Sequence, residues 1–350
     1  MQIGGELQDL IQSSIGFYHR YLDRRGVSSE QLQDLLTPYL VAAETAYPDM
    51  MNVLKGMSVS ALVPVLELFA INAFEELEPL LESPEGELLF LQKKEGYTTK
   101  PPPSEHCSSL SVRTPDGHTL LAHNEHWLAG DVDNVAVVID HPADGRTAVA
   151  SPTVVCCLPA VGVNGHGGAQ GIGSLTASDD GVGIPRVLVS RGSLEARDRH
   201  DAIARAALPG RAGGYGHVYG FPDGDCFTVE TSGRDHRVLD GPSPHTNHYR
   251  SDLAELAPAP SEGSQARLAR LQHLLDEHPP EGHEDVMEIM RDHESAPQSI
   301  CLHPDPSEGD EASACMFSMV ADLGARRMWV ATGNPCEHEY DEIDLTELAS

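Results

Sequence analysis

The sequence is short of lysine, of aromatic side chains and of long apolar runs, and each shortage closes off a class of function. Lysine and arginine together number 23, four of them lysine, against 54 acidic residues, for a formal net charge of −31 over 350 residues. Such a chain repels a phosphate backbone, which argues against nucleic-acid binding. The acid is spread along the sequence, as on a solvated acidic surface, and is not gathered into one partner-binding tract. No run of 18 apolar residues occurs, and the opening Met1 to Leu7 has no basic segment leading into an apolar one. Neither membrane insertion nor secretion is therefore expected. The seven cysteines show no Cys-x-x-Cys spacing, and an odd number cannot all pair within one chain. Free thiols in a reducing cytoplasm fit best. Aromatic residues are only 5% of the chain, but hydrophobic residues reach 40%, enough for one large domain or two ordinary ones with a real core.

What is present changes character along the chain. Leu7, Leu10, Ile11, Ile15, Tyr18 and Leu22 recur at helical spacing up to Gly26, and Ser28-Ser29-Glu30 reads as the start of a second helix. A third helical stretch is expected from Pro48 to Leu81. Then comes Thr98-Thr99-Lys100-Pro101-Pro102-Pro103, a breaker cluster that no helix interior tolerates and that places a boundary near residue 106. Beyond it lie short β-patterned runs at Leu110–Val112, Thr119–Ala122, Val135–Ile139, Thr153–Leu158, Phe227–Glu230, Met316–Val320 and Met328–Ala331, with Asp116-Gly117 and Asp223-Gly224 as turns. Helices are expected at Leu194–Leu208, Gln265–His278 and Val286–His293. Strands, then helices, then strands again predict stacked layers of the α+β type, not a repeated βαβ unit.

Four groups of residues carry candidate chemistry. Cys107 follows the proline-rich stretch and opens the first β run; if the His106–Cys107 bond is cut, one residue gains a thiol nucleophile and a free α-amine able to act as its base. Ser108-Ser109 supplies hydroxyls beside it. In Ala122-His123-Asn124-Glu125-His126-Trp127, Asn124 can fix a carbonyl or amine, Glu125 can hold an ammonium group and His126 can shuttle a proton near neutral pH. In Pro244-His245-Thr246-Asn247-His248-Tyr249, the Asn247 amide suits an oxyanion hole because it donates without taking up the proton itself. The spacings His123/His126 and His245/His248 also admit a histidine metal hydrolase, although no HExxH pattern accompanies them. The glycine-rich run from Gly162 to Gly173 lacks both the Gly-Lys-Ser/Thr ending and the dinucleotide fingerprint. It reads as a tight turn beside a cleft.

Taken in order, these motifs resemble the autoproteolytic acyltransferase and hydrolase family typified by acyl-CoA:6-aminopenicillanic acid acyltransferase, within the N-terminal-nucleophile hydrolases. Phe69 to Leu77 is similar to its propeptide signature, Cys107-Ser108-Ser109 to its Cys-Thr-Thr start, and Ala122 to Trp127 to its His-Asn-Glu-Asp-Trp segment, with His126 in the place of Asp. Gly162 to Gly167 is similar to its Gly-Leu-Asn-Glu-His-Gly turn, His245 to His248 matches its His-Thr-Asn-His motif, and Gly333 to Glu337 its closing Gly-Asn-Pro-Cys-Glu. His106 stands where the family usually has Gly.

The resemblance implies an αββα four-layer sandwich carrying a helical N-terminal propeptide segment. It implies a precursor cut between His106 and Cys107 into fragments 1–106 and 107–350 that stay associated as a heterodimer and form one integrated domain. Cys107 would be nucleophile and N-terminal base and Asn247 the oxyanion donor, with Glu125 and His126 in catalytic and Ser108, Asn124, Asn164 and His245 in supporting or substrate-binding places. The expected activity is cleavage or transfer of an acyl group from a small amide or acyl thioester. No metal and no cofactor are expected, with acyl-CoA entering only as a substrate. A catalytically degenerate, unprocessed binding protein of the same fold is the main alternative.

Overall fold

A computed structural model of the chain describes residues 2–81, 107–143 and 145–348. Two antiparallel sheets lie face to face. The first has six strands in the order β10-β1-β2-β11-β12-β13, formed by Pro244–His245, Ser108–Arg113, Thr119–Leu128, Ser313–Asp322, Arg327–Thr332 and Asp341–Asp344. The second has seven in sequence order: β3 (Val135–Asp140), β4 (Val149–Val154), β5 (Gly162–Asn164), β6 (Ala169–Leu175), β7 (Gly214–Gly220), β8 (Cys226–Thr231) and β9 (His236–Asp240). Helices α9 (Glu262–Glu277) and α10 (His283–Met290) cover the outer face of the first sheet, where Leu271, Val286 and Met290 meet Leu110, Leu120 and Ala122. Helices α7 (Arg186–Leu194) and α8 (Arg199–Ala206) cover the second, with Ala202 and Ala206 against Tyr219, Phe227 and Val229. This is the expected αββα sandwich, each sheet burying both faces.

Glycines let the two sheets approach. A Cβ on Gly171 of β6 would come within 2.8 Å of the Ser109 Oγ on β1, and one on Gly216 of β7 would strike the His245 ring on β10. Those glycines also explain why β6 and β7 escape the sequence reading: a strand built as Ala-Gln-Gly-Ile-Gly-Ser-Leu or Gly-Tyr-Gly-His-Val-Tyr-Gly carries little β propensity of its own.

Among the described residues, six helices precede the sandwich: α1 (Gln2–Glu6), α2 (Gln8–Arg24), α3 (Ser29–Ala46), α4 (Pro48–Ala61), α5 (Val65–Asn72) and α6 (Phe74–Leu81). Ser28 caps α3 reciprocally with Gln31, a capping box at the predicted start. The single helix expected from Pro48 to Leu81 is three. Leu62 takes a left-handed φ of 59°, and Pro64, which lacks an N–H to donate, forces the restart at Val65.

Two further expectations shift: the strand placed at Thr153–Leu158 lies at Val149–Val154, and the helix placed at Leu194–Leu208 is the shorter α8, Arg199–Ala206, with α7 ending at Leu194. An edge-to-face cluster of Tyr18, Tyr21, Phe74 and Trp127, with centroids 5.2 to 5.3 Å apart, fastens the helices to β2. The predicted boundary near residue 106 and the proline-rich stretch lie outside the described residues. No described helix is long and apolar enough to cross a membrane.

Candidate active site

Strand alternation aims the side chains of β2. His123, Glu125 and Trp127 face the space between the sheets, whereas Ala122, Asn124 and His126 face the α9/α10 layer. The Asp116-Gly117 turn that joins β1 to β2, with Gly117 at φ 91°, sets the register Ser108 opposite Asn124 and Ser109 opposite His123. A bulge between Cys315 and Phe317 on β11 brings Phe317 opposite Glu125, an irregularity of the kind that re-aims side chains beside active sites.

Cys107 directly precedes β1, and its thiol is buried at 5% exposure. Its Sγ donates to Glu125 Oε1 at 3.3 Å and lies 4.0 Å from the His126 carbonyl oxygen. Glu125 Oε2 is 2.9 Å from His123 Nε2, and His123 Nδ1 is 2.9 Å from Ser109 Oγ, which lies 3.2 Å from the Ile172 carbonyl. The result is a buried relay from thiol through carboxylate and imidazole to hydroxyl. Burial first, and the Glu125 charge second, push the Cys107 thiol well above its ordinary value. With the chain uncut, the sulfur is held protonated.

The thiol opens on a narrow cavity of about 60 Å³ lined by Glu125, Trp127, Phe317, Ile172, Ser174 and Tyr215, and also by Glu75 from α6. Glu75 is bound where it stands: the Tyr215 hydroxyl donates to its Oε2 at 2.6 Å, and the buried Arg186 guanidinium lies 3.9 Å away. Burial raises its carboxyl to about 7; Arg186 opposes this and Glu76 adds to it. Next along, Asn72 donates to the Leu68 and Cys156 carbonyls at 2.8 and 2.9 Å and accepts from Leu158 N–H at 2.8 Å. The motif Phe69 to Leu77 is thus the piece of the N-terminal helices that reaches the cavity wall.

Asn247 is held by the first turn of α9. Its N–H donates to Ser264 Oγ at 2.9 Å, and its Oδ1 accepts from Arg267 Nη2 at 2.9 Å. The side-chain amide therefore points its Nδ2 at the Ser174 carbonyl, 3.3 Å away, in the cavity wall. Of the other expected residues, Asn124 donates to the Met290 and Ile300 carbonyls at 3.0 and 2.9 Å, tying β2 to the helical layer. Asn164 donates to the Leu194 and Ala196 carbonyls and accepts from His166 and Gly168 N–H, so its amide is committed to backbone. His245 Nε2 lies 2.9 Å from Glu230 Oε1; burial pushes that carboxyl up, but His245 and the Ser251 and Arg250 N–H groups outweigh it and hold it at about 2.

Cys107 and Glu125 therefore come together, with His126 contributing its carbonyl. Ser108 lies in register with Asn124, whereas Asn124, Asn164 and His245 sit in structural surroundings away from the thiol. From the sequence, Ser109 is placed only as a hydroxyl beside Cys107 and His123 only in a candidate metal pair, and Glu75 lies only within the propeptide signature. The alternation of β2, which aims Glu125 at the cavity, is the signal that finds His123 as well. Neither His-x-x-His pair falls within one donor cluster: His123 and His126 face opposite sides of β2, and His248 lies beyond the end of β10.

A paired antiparallel sandwich with outer helices on both faces is the fold of the N-terminal-nucleophile hydrolases. The model of the acyl-coenzyme A:6-aminopenicillanic acid acyl-transferase family matches residues 112–337, and the chain belongs to that family. No curated protein sequence matches it. Among solved structures, penicillin V acylase from Agrobacterium tumefaciens is similar at 12% identity and a TM-score of 0.49, covering 70% of this chain and 88% of its own. A variant of the conjugated bile acid hydrolase of Clostridium perfringens is similar at 11% and 0.46, covering 70% and 94%. The Caenorhabditis elegans ortholog of N-acylethanolamine-hydrolyzing acid amidase is similar at 11% and 0.43, covering 62% and 93%.

Proposed function

We propose that the protein is a cysteine N-terminal-nucleophile amidohydrolase or acyltransferase that releases its own nucleophile by cutting the His106–Cys107 bond. The observation that carries this reading is the thiol of Cys107, the residue just before a sandwich strand, donating to a cavity-lining carboxylate, Glu125. In the precursor, Glu125 takes the thiol proton as Sγ attacks the His106 carbonyl carbon. Collapse breaks the C–N bond, the departing amine takes the proton, and water then hydrolyses the thioester, freeing the His106 carboxylate and the thiol.

In the cut enzyme, the α-amine of Cys107, whose ordinary value lies near 8, takes over as base. Sγ attacks an amide or thioester carbonyl, and the oxyanion accepts from Asn247 Nδ2, oriented by Arg267. The leaving amine or thiol departs with the proton, and the acyl group passes to water or to an acceptor amine. No cofactor is required; an acyl thioester such as acyl-CoA enters as substrate. Fragment 1–106 remains seated on 107–350 as a heterodimer. The seven cysteines all stand as free thiols, in keeping with a reducing cytoplasm.

A denaturing gel with N-terminal sequencing tests the reading. Wild-type protein should give two bands, the larger beginning at Cys107, and Cys107→Ala one band with no acyl-amide hydrolysis. A single intact wild-type chain would leave an unprocessed binding protein of this fold.

A further inference from the structure

A second group of cysteine and histidine side chains lies apart from the Cys107 cavity. His293 and His303 approach Nε2 to Nε2 at 3.0 Å, Cys336 Sγ lies 3.2 Å from His303 Nε2, and Cys301 Sγ lies 3.6 Å from Cys336 Sγ. All four donor atoms fall within 4.8 Å of one another. We propose that these four residues form a Cys2His2 site for one tetrahedral, borderline-soft divalent cation, zinc foremost.

The spacing matches such an ion. With zinc–sulfur bonds of about 2.3 Å and zinc–nitrogen bonds of about 2.0–2.1 Å, a regular tetrahedron has edges of about 3.8 Å between sulfurs, about 3.6 Å between sulfur and nitrogen and about 3.4 Å between nitrogens. The three measured edges follow that order and fall a few tenths of an ångström short, so a small outward movement accommodates the ion. Two thiols and two imidazoles are also the donor set this geometry selects, whereas oxygen-seeking ions take carboxylates.

The surroundings are those of a ligated centre. Asn334 Nδ2 lies 3.4 Å from Cys301 Sγ and donates to the Leu302 carbonyl at 2.8 Å, and Glu337 Oε1 stands 3.8 Å from His303 Nδ1, the ring nitrogen that faces away from the cluster. A carboxylate behind a ligating imidazole fixes the ring and its tautomer. Cys301 N–H donates to the Asp292 carbonyl at 3.0 Å, and Asp292 is gripped by Arg270 at 2.6 Å, so the segment 292–303 is anchored to α9.

Binding takes neutral imidazoles and two thiolates, so two thiol protons leave to solvent as the two metal–sulfur bonds form. Four protein ligands leave no open position, which makes the site structural. It clasps the segment after α10 to the Gly333-Asn334-Pro335-Cys336-Glu337 turn that follows β12. Neither His-x-x-His pair contributes to it.

The test uses the full chain carrying Cys107→Ala, which removes the active-site thiol as a competing ligand. Titration of metal-free protein with cobalt(II) should reach about one equivalent and give the intense visible bands of a tetrahedral, thiolate-ligated ion, displaced by zinc. Adding His303→Ala or Cys336→Ser should abolish the bands, and a chelator should lower the melting temperature of the parent and leave these variants unmoved. The proposal is overturned if the parent shows a weak octahedral cobalt spectrum, if the bands survive in the Cys301→Ser/Cys336→Ser variant, or if intact mass of unreduced protein is two hydrogens light because those cysteines form a disulfide. The parent's own spectrum and chelator response decide the matter even where a variant does not fold.

Discussion

Glu75 offers a test of how the N-terminal helices sit on the sandwich, because its carboxyl faces the Cys107 cavity yet belongs to α6. Burial moves its midpoint from 4.5 in the open chain to about 7 in the fold. The folded chain therefore keeps the Glu75 proton over a range where the unfolded chain has lost it, and stability must fall as pH rises through that window. Below 4.5 both states are protonated and no cost arises; above about 7 both are ionised and the full cost is present. Integrated over the shift, that cost is about 3 kcal/mol.

Glu75→Gln removes the titration while its amide oxygen still accepts from Tyr215. In a Cys107→Ala background, which keeps one chain, urea unfolding of the parent and of the Glu75→Gln variant should be compared from about pH 4.5 to about pH 8. The variant should gain on its parent with rising pH, by about 3 kcal/mol in total, and level off above about 7. Glu76, also raised by burial, is present in both proteins, so its titration is subtracted apart from its coupling to Glu75. A difference that is flat across this range, or one that shrinks as pH rises, refutes the reasoning.

Three other outcomes follow from the site. Glu125→Gln should slow self-cleavage by roughly 10²–10⁴-fold, because the amide cannot take the thiol proton; densitometry of precursor over time measures it, and normal cleavage would remove Glu125 from the mechanism. Asn247→Ala should lower kcat by roughly 10²–10³-fold with KM little changed, as read from steady-state hydrolysis of an acyl amide by fully cut enzyme. The two fragments should co-elute as one species in size exclusion: separating them exposes Tyr18, Tyr21, Phe74 and Trp127, and a large apolar side chain is worth about 1.5–3 kcal/mol when buried. Elution of free 1–106 without denaturant would contradict that packing.

The outline of the fold was legible because its longer elements follow simple periods. Ser28 announced its capping box, α2 its apolar stripe, and Asp116-Gly117 its hairpin. What hid did so for physical reasons. Strands β6 and β7 spend their positions on glycine so that Ser109 and His245 can approach from the other sheet, and the same substitution that makes room removes the β signal. Leu62 breaks a helix with a left-handed residue that is not glycine, which no propensity scale anticipates. Within the site, Cys107 and Glu125 could be named from motif order, and alternation distinguishes Glu125 from its neighbour His126. Glu75 and Tyr215 could not be paired, because 140 residues separate them and only the packing of α6 on β7 brings them together.

The relay behind Glu125 bears on why one carboxylate can serve both stages of the proposed chemistry. Its two oxygens are divided: Oε1 meets the thiol, and Oε2 is tied to His123, which Ser109 and the Ile172 carbonyl hold in turn. A carboxylate fixed at one oxygen by a buried imidazole presents the other in a constant direction. Before the cut it faces a thiol that burial keeps protonated, and a proton acceptor is what that sulfur needs. After the cut it would face a residue that has gained an α-amine, and the same negative charge favours the ammonium that this amine becomes on taking the thiol proton. In the proposed scheme cleavage would thus change Glu125 from proton acceptor to counter-ion. Replacing His123 by Gln, which keeps a hydrogen bond to one side but not the bridge from Ser109 to Glu125, separates positioning from chemistry: by loosening Oε1 it should slow cleavage, read by densitometry of precursor over time, by less than Glu125→Gln, which removes the acceptor itself; an equal or larger loss would refute the positioning role.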